Sequence, residues 1–234
     1  GTFTIDPGGA VNTNPPTYGS TSTLKYNTGG TYGRSTEWKP GATSGAGVPQ
    51  NVTLSSNTIL NLSGREGDET SSYQCNGDFT VKSGSELNLD FGNSDNSDAL
   101  EEPLTVGGKF TNNGTTKLSR TLGGDLKVEG NFDNDGTFTD NGRAIFFIGS
   151  STQELNVKSG NFAFLVFDND GGENNTGGVK LVNNDVTVEG ASGDVLQFLN
   201  DGGLDLNGQT MTLSGDGGNI KVDGGARTIT SSSS

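Results

Sequence analysis

Apolar and polar positions alternate over short stretches of this chain, mainly from residue 51 onward. Runs such as "NVTLSSNTILNL" and "GDFTVKSGSELNLDF" place Val, Ile, Leu or Phe at alternate positions, and clusters of Asn, Asp, Gly and Ser separate the runs. A period of two predicts half-buried β-strands, and the interruptions come too soon for a helix to form. The sequence therefore predicts an all-β protein made of many short strands.

Two of these stretches repeat each other at a fixed distance. The segment "VGGKFTNNGTTKL" (106–118) matches "VEGNFDNDGTFTD" (128–140), and their phenylalanines, Phe110 and Phe132, are 22 residues apart. Neighbouring strands of a sandwich have no reason to match at a constant offset, whereas in a β-helix like residues stack and the offset equals one turn. The repeat predicts a right-handed parallel β-helix of roughly eight turns, about 40 Å long at about 4.8 Å per turn.

The chain divides by composition into residues 1–50 and residues 51–234. The first part holds five of the six prolines, the only tryptophan and three of the four tyrosines. Tyr26, Tyr32 and Trp38 are costly to leave in water, so this part is predicted to be an ordered N-terminal strand and cap, and the remainder to be the β-helix. Insertions between strands, such as "GNSDNSDALEEP", are tolerated because loops project from a solenoid without disturbing its stack.

Charge and composition exclude several functions. The 28 acidic and 14 basic residues give a net charge of −14, which disfavours nucleic acid and anionic membrane surfaces as partners and suits an extracellular setting. Histidine is absent, which excludes Ser-His-Asp and Cys-His nucleophile systems and His-ligated zinc. The single cysteine, Cys75, is either a small buried hydrophobic side chain or a reactive thiol. No apolar run is long enough to span a membrane.

A family resemblance extends over about residues 20–234. It is carried by the Tyr-Asn-Thr-Gly-Gly-Thr-Tyr segment, the Glu-Trp pair, the Gly-Val-Pro-Gln-Asn-Val-Thr segment and the Gly-Asn-Phe-x-Asn-x-Gly-Thr repeats. These features resemble the β-helical modules of Bacteroidetes surface and secreted proteins that are exported by the type IX route. The resemblance implies a location outside the bacterial cell or on its surface. It does not imply one activity, because such modules occur in adhesins, gliding-associated proteins and enzymes.

Acidic pairs in the turns are the candidate metal ligands. Asp133 and Asp135, or Asp168 and Asp170, could offer hard oxygen ligands to Ca²⁺, although their spacing matches neither an EF-hand nor a nonapeptide calcium repeat. The alternative is purely structural, because Asn, Asp and Gly tolerate the left-handed backbone expected at a corner. No other cofactor is predicted.

Two further activities fit the sequence less well than a structural role. A polysaccharide lyase or hydrolase needs a groove of clustered carboxylates or a calcium site beside an Arg or Lys base, and the five arginines are scattered along the sequence. Thr-x-Thr pairs, such as Thr137 with Thr139, are too few for a flat ice-binding array and suit an exposed strand face. The chain is therefore not expected to be an enzyme.

The two ends of the predicted rod differ. The opening "GTFTIDP" is a strand that could be added to a neighbouring molecule, and the closing "NIKVDGGARTITSSSS" has no recognisable cap. Either the chain was cut from a longer protein or its last turn is completed by another subunit. A weaker echo joins residues 206–215 to residues 222–231, which suggests a shorter last turn.

These features together predict an extracellular structural or adhesive surface protein, which self-associates end to end by strand addition into a filament. The alternative is a β-helix that binds or cleaves carbohydrate, with surface glycans as its partners.

Overall fold

The computed structural model describes residues 1–63, 68–91, 99–158, 161–169, 178–200, 202–223 and 229–231. The strands within these ranges are β1 Thr2–Ile5, β2 Thr23–Tyr26, β3 Thr31–Gly33, β4 Asn51–Leu54, β5 Ile59–Asn61, β6 Tyr73–Cys75, β7 Phe79–Val81, β8 Glu86–Asn88, β9 Leu104–Val106, β10 Phe110–Asn112, β11 Thr115–Lys117, β12 Leu126–Val128, β13 Phe132–Asn134, β14 Thr137–Thr139, β15 Ala144–Phe147, β16 Gln153–Val157, β17 Asn161–Phe162, β18 Phe164–Phe167, β19 Val179–Val182, β20 Val186–Val188, β21 Gly193–Phe198, β22 Leu204–Asp205, β23 Met211–Leu213, β24 Gly218–Val222 and β25 Ile229–Thr230.

The strands form parallel sheets that stack as a β-solenoid of about eight turns, which confirms the predicted fold class. Sheet A has the order β1-β2-β4-β7-β10-β13-β16-β19-β22-β25 and sheet C the order β6-β9-β12-β15-β18-β21-β24. The third face is divided into sheet B, β3-β5-β8-β11-β14, and sheet D, β17-β20-β23. A complete turn therefore takes one strand from sheet A, one from sheet B or D, and one from sheet C.

The repeated phenylalanines stack inside the solenoid, as their spacing predicts. Phe110 pairs with Phe132 in parallel register, and their rings are stacked with centroids 5.5 Å apart and an interplanar angle of 14°. Phe79 precedes them in the same column, 5.7 Å from Phe110. Sheet C has its own aromatic column, in which Phe167 lies 5.6 Å from Phe147 and 5.4 Å from Phe198. The core is thus a set of columns that run along the rod.

The corners of the repeated motif need glycine for space. A Cβ on Gly136 would lie 2.2 Å from the carbonyl oxygen of Gly114, and a Cβ on Gly130 would lie 2.5 Å from the carbonyl carbon of Gly108. These four glycines lack the left-handed backbone expected at the corners, so that expectation is wrong for this motif. Stacked turns bring one main chain directly onto the next, which leaves no room for a side chain. Left-handed backbone does occur elsewhere, at Asn57, Asn141, Asn183, Asn200 and Asn207.

The asparagine two residues after the phenylalanine of each repeat points inward and is buried. The side-chain Nδ2 of Asn112 donates hydrogen bonds to Oδ1 of Asn134 (2.7 Å) and to the carbonyl oxygen of Thr137 (2.9 Å). Both asparagines are essentially inaccessible to solvent. A buried amide is tolerated only when it is hydrogen-bonded. This ladder of stacked asparagines therefore fixes the positions of the corners that follow Asn112 and Asn134.

Residues 1–50 contribute strands as well as a cover. Strands β1, β2 and β3 belong to sheets A and B. The two sheets therefore continue across residue 51, where the sequence predicts the boundary between cap and β-helix. Strand β1 pairs with β2 of its own chain, with Phe3 opposite Leu24 and Ile5 opposite Tyr26. The strand predicted for donation to a neighbour is therefore held by its own solenoid, and only its outer edge is free.

The weaker sequence echo near the C-terminus does not mark a turn. Leu204 of β22 is the register partner of Ile229 of β25, an offset of 25 residues, and Met211 pairs with Val186 at the same offset. Residues 206–215 include β23 of sheet D, whereas residues 222–231 include β25 of sheet A. The shorter last turn predicted from the echo is wrong, because the two segments lie on different faces.

Cys75 is a buried core residue. Its side chain is inaccessible and unpaired with another cysteine, and burial raises the pKa of its thiol to about 12. The structure thus supports the first of its two sequence interpretations, a small buried hydrophobic side chain.

Candidate functional site

The first predicted calcium ligand, Asp133, is engaged with protein groups. It lies on the outer face of sheet A, where its Oδ2 is 2.8 Å from Nζ of Lys109 and its Oδ1 accepts a hydrogen bond of 2.8 Å from Nδ2 of Asn156. These contacts join three successive strands of the sheet. Lys109, Asp133 and Glu154 line a shallow hollow of about 280 Å³ on this face.

The other predicted ligands include one on a different sheet from Asp133. Asp135 is exposed just after β13, and Asp168 follows β18 of sheet C and accepts a hydrogen bond from Asn200. Asp170 lies outside the described residues. Within the described ranges, no group of three or more Asp, Glu or Cys side chains is placed to hold a metal ion. A calcium site at these residues stays a prediction.

Asp135 lines a groove at the corner between sheets A and B. The groove has a volume of about 430 Å³ and crosses four successive turns, from Ile59 to Thr137. Its walls carry hydroxyl, amide and carboxylate groups from Ser83, Glu86, Asn113, Thr115, Asp135 and Thr137. Glu86 is also paired with Lys117 at 2.9 Å. The sequence offers Asp135 as a candidate calcium ligand and Thr137 as part of a Thr-x-Thr pair. It carries no signal for the groove itself, because the fold alone brings these turns together.

A second polar cluster lies in the N-terminal cover and is buried. The Glu37 carboxylate is inaccessible, and it accepts hydrogen bonds from the hydroxyls of Tyr26 (3.2 Å) and Tyr32 (3.3 Å). Burial, and secondarily the charge of Glu37, raises the pKa of Tyr26 well above its usual value. Tyr26 therefore stays protonated and continues to satisfy the carboxylate.

Arg34 anchors the same cover to the solenoid. It donates to the carbonyl oxygens of Ser35 (2.7 Å), Trp38 (2.8 Å) and Leu62 (3.2 Å), and it pairs with Asp68. Such contacts position the cover. Neither role could be assigned from sequence, because the fold alone brings Tyr26 and Tyr32 to Glu37, and Leu62 and Asp68 to Arg34.

Asp125, at the start of β12, makes stability depend on pH. Burial raises the pKa of its carboxyl group above its usual value, although its side chain accepts a hydrogen bond of 2.8 Å from the Ala144 amide. The native state therefore holds the proton more tightly than the unfolded chain. Its contribution to stability is greatest below the unfolded pKa and is lost as pH rises through the folded pKa.

We expect Asp125→Asn to stabilise the protein at pH 7, because asparagine keeps the acceptor for Ala144 without the charge. The difference from wild type should disappear below pH 3, where both side chains are neutral. Urea denaturation followed by circular dichroism at both pH values measures this difference. A gain that is equal at both pH values would contradict the interpretation.

The two ends of the solenoid expose side chains that point inward elsewhere. Seven large apolar side chains are exposed among the described residues, and five of them lie on the first or last turn. These five are Phe3, Leu213, Ile220, Val222 and Ile229. Their register partners one turn inward are fully or almost fully buried, so these five side chains are exposed because no turn among the described residues covers them.

The described structure thus defines a parallel β-solenoid with a corner groove, polar faces and two open ends. Comparison of the chain with protein-family models, curated proteins and solved structures gave no match. Within the described ranges, no helix has the length and apolar character needed to cross a membrane.

Proposed function

We propose that this chain is a structural or adhesive module of an extracellular bacterial surface protein, of the type IX-exported Bacteroidetes kind that its sequence resembles. The observation that carries the proposal is sheet A, whose ten parallel strands form one face along the solenoid. A stack of this kind gives a rod of fixed length, on which side chains recur at each turn. End-to-end self-association would extend such a rod.

The outer face of sheet A supports a contact role. Lys109, Asp133 and Asn156 interact across neighbouring strands, and Asn131 donates to Oε2 of Glu154 at 3.1 Å. These cross-strand contacts hold polar side chains in a periodic array. Such an array can make many weak contacts with a surface at once, and its avidity exceeds that of any single contact.

The proposal predicts display on the outside of the cell. Antibodies against the folded protein should bind intact cells that express it naturally, and protease treatment of those cells should remove the signal. An antibody against a cytoplasmic protein, which should bind only after permeabilisation, is the control. Labelling that also requires permeabilisation would contradict the proposal.

The corner groove favours carbohydrate binding as a second candidate. Its hydroxyl, amide and carboxylate groups suit the hydrogen-bonding groups of a saccharide, and its volume of about 430 Å³ fits a small oligosaccharide. Titration with soluble oligosaccharides separates the two proposals, because saturable binding by the isolated protein is required only by the second. Release of reducing ends in the same samples would indicate cleavage.

A further inference from the structure

We propose that the last turn of one molecule docks on the first turn of a second copy in the same orientation, so that sheet A continues across the junction. This inference deepens the structural role proposed above and rests on it. The first turn consists of β1 and the connection through residues 6–22, because β1 and β2 are neighbours in sheet A. The last turn contains β23 and β24 and leads into β25.

The edges to be joined are the two ends of one parallel sheet. Among the described residues, β1 has a partner only on its β2 side, and β25 has a partner only on its β22 side. Each outer edge presents main-chain N–H and C=O groups in the arrangement that every interior strand uses for pairing. A second copy in the same orientation supplies a parallel strand at this position.

The end turns carry exposed apolar side chains that a docked turn would bury. Ile220, Val222 and Ile229 are each about half exposed, and Phe3 is 41% exposed. Their register partners Leu196, Phe198, Leu204 and Leu24 are at most 3% exposed. Covering the end turns would remove this apolar surface from water in the same way that each interior turn covers its neighbour.

Charge does not oppose the junction on sheet A. The outward side chains of the edge strands are Thr2 and Thr4 on β1 and Thr230 on β25. Edge strands that avoid pairing commonly carry charged residues, and these carry none at their outward positions. A chain with a net charge of −14 can therefore form this contact without placing like charges opposite each other on this face.

Such a contact joins two different surfaces and does not close on itself, so it propagates. A two-fold contact between identical ends would instead produce only dimers. Variants that block one end each distinguish the two arrangements. Phe3→Asp blocks the first turn, and Ile220→Asp combined with Val222→Asp blocks the last.

Sedimentation velocity over a concentration series, together with negative-stain imaging, provides the test. We expect wild type to form linear chains. Each blocked variant alone should be mainly monomeric, with a dissociation constant for self-association at least about tenfold higher than that of wild type. An equimolar mixture of the two blocked variants should contain dimers as its largest species, since only one productive junction remains. Leu122→Asp, which changes the 81% exposed Leu122 away from both ends, should assemble like wild type.

Wild type that stays monomeric at about 1 mM would overturn the inference. A blocked variant that dimerises alone as tightly as wild type associates would also overturn it, because such tight dimers require contact between identical ends. Circular dichroism shows whether each variant is folded, and the wild-type result does not depend on any variant. Surface labelling of cells is independent of assembly, so a monomeric protein that is displayed outside the cell would refute the junction and leave the proposed function standing.

Discussion

Replacing Phe132 with alanine should lower the free energy of unfolding by about 3–5 kcal/mol. The ring is inaccessible to solvent and contacts four other phenylalanine rings, with centroid distances between 5.5 and 6.4 Å. These partners are Phe110, Phe138, Phe147 and Phe162. The substitution removes buried apolar surface and leaves a cavity between turns whose main chains are fixed by sheet pairing. Guanidinium denaturation followed by circular dichroism gives the difference.

Phe146→Ala is the matched control. Phe146 lies on the outer face of sheet C, where it is half-buried and its ring is 5.5 Å from Nζ of Lys127. Its removal should cost about 1 kcal/mol or less. Phe132→Leu should recover part of the loss, because Leu155 occupies the next position of the same column. An equal loss for the two alanine variants would show that the interior column does not dominate stability.

Adding one methyl group at Gly136 should destabilise the protein by about 3 kcal/mol or more. The new Cβ would lie 2.2 Å from the Gly114 carbonyl oxygen and 2.9 Å from its amide nitrogen. Both atoms belong to the main chain of the neighbouring turn, which cannot rotate away as a side chain would. The Gly136 amide also donates to the carbonyl oxygen of Asn112 at 2.9 Å, so a shift would weaken this hydrogen bond.

Gly30→Ala is the control for the loss of backbone freedom. A Cβ at Gly30 would have no atom within 4 Å, and Gly30 does not adopt a left-handed backbone. We expect its unfolding free energy to change by at most about 1 kcal/mol in either direction. Thermal and chemical denaturation of the two variants measure the contrast. If Gly136→Ala were as stable as Gly30→Ala, the corners would be more deformable than the contact distances indicate.

The sequence predicts the parts of this fold that depend on local spacing. The offset between Phe110 and Phe132 predicts their stacking, and alternation predicts which residues point inward. The division of the third face into sheets B and D has no local signal. The same is true of the inward asparagine ladder, because Asn112 and Asn134 resemble ordinary turn residues until the next turn supplies their partners.

The candidate sites depend even more on contacts between turns. Asp133 looks like a free carboxylate in sequence, but it is paired with Lys109 from the preceding turn. Asp135 lines the same groove as Glu86 and Thr115, which belong to two earlier turns. Exposure of Ile220, Val222 and Ile229 follows from their place on the last turn and not from their own sequence pattern. Each feature requires knowledge of which turns are adjacent.

The division between sheets B and D has a consequence for cooperative unfolding. Within the part of the chain that the structure describes, β14 pairs only with β11 and β17 only with β20, so main-chain pairing is interrupted on this face. Asp140 Oδ2 accepts a hydrogen bond of 2.7 Å from the Ala163 amide, and the Phe138 and Phe162 rings lie 6.0 Å apart across the gap. Solenoids lose cooperativity where coupling between neighbours is weakest. Amide hydrogen exchange should therefore divide the molecule into two blocks that open separately, with their boundary at this gap.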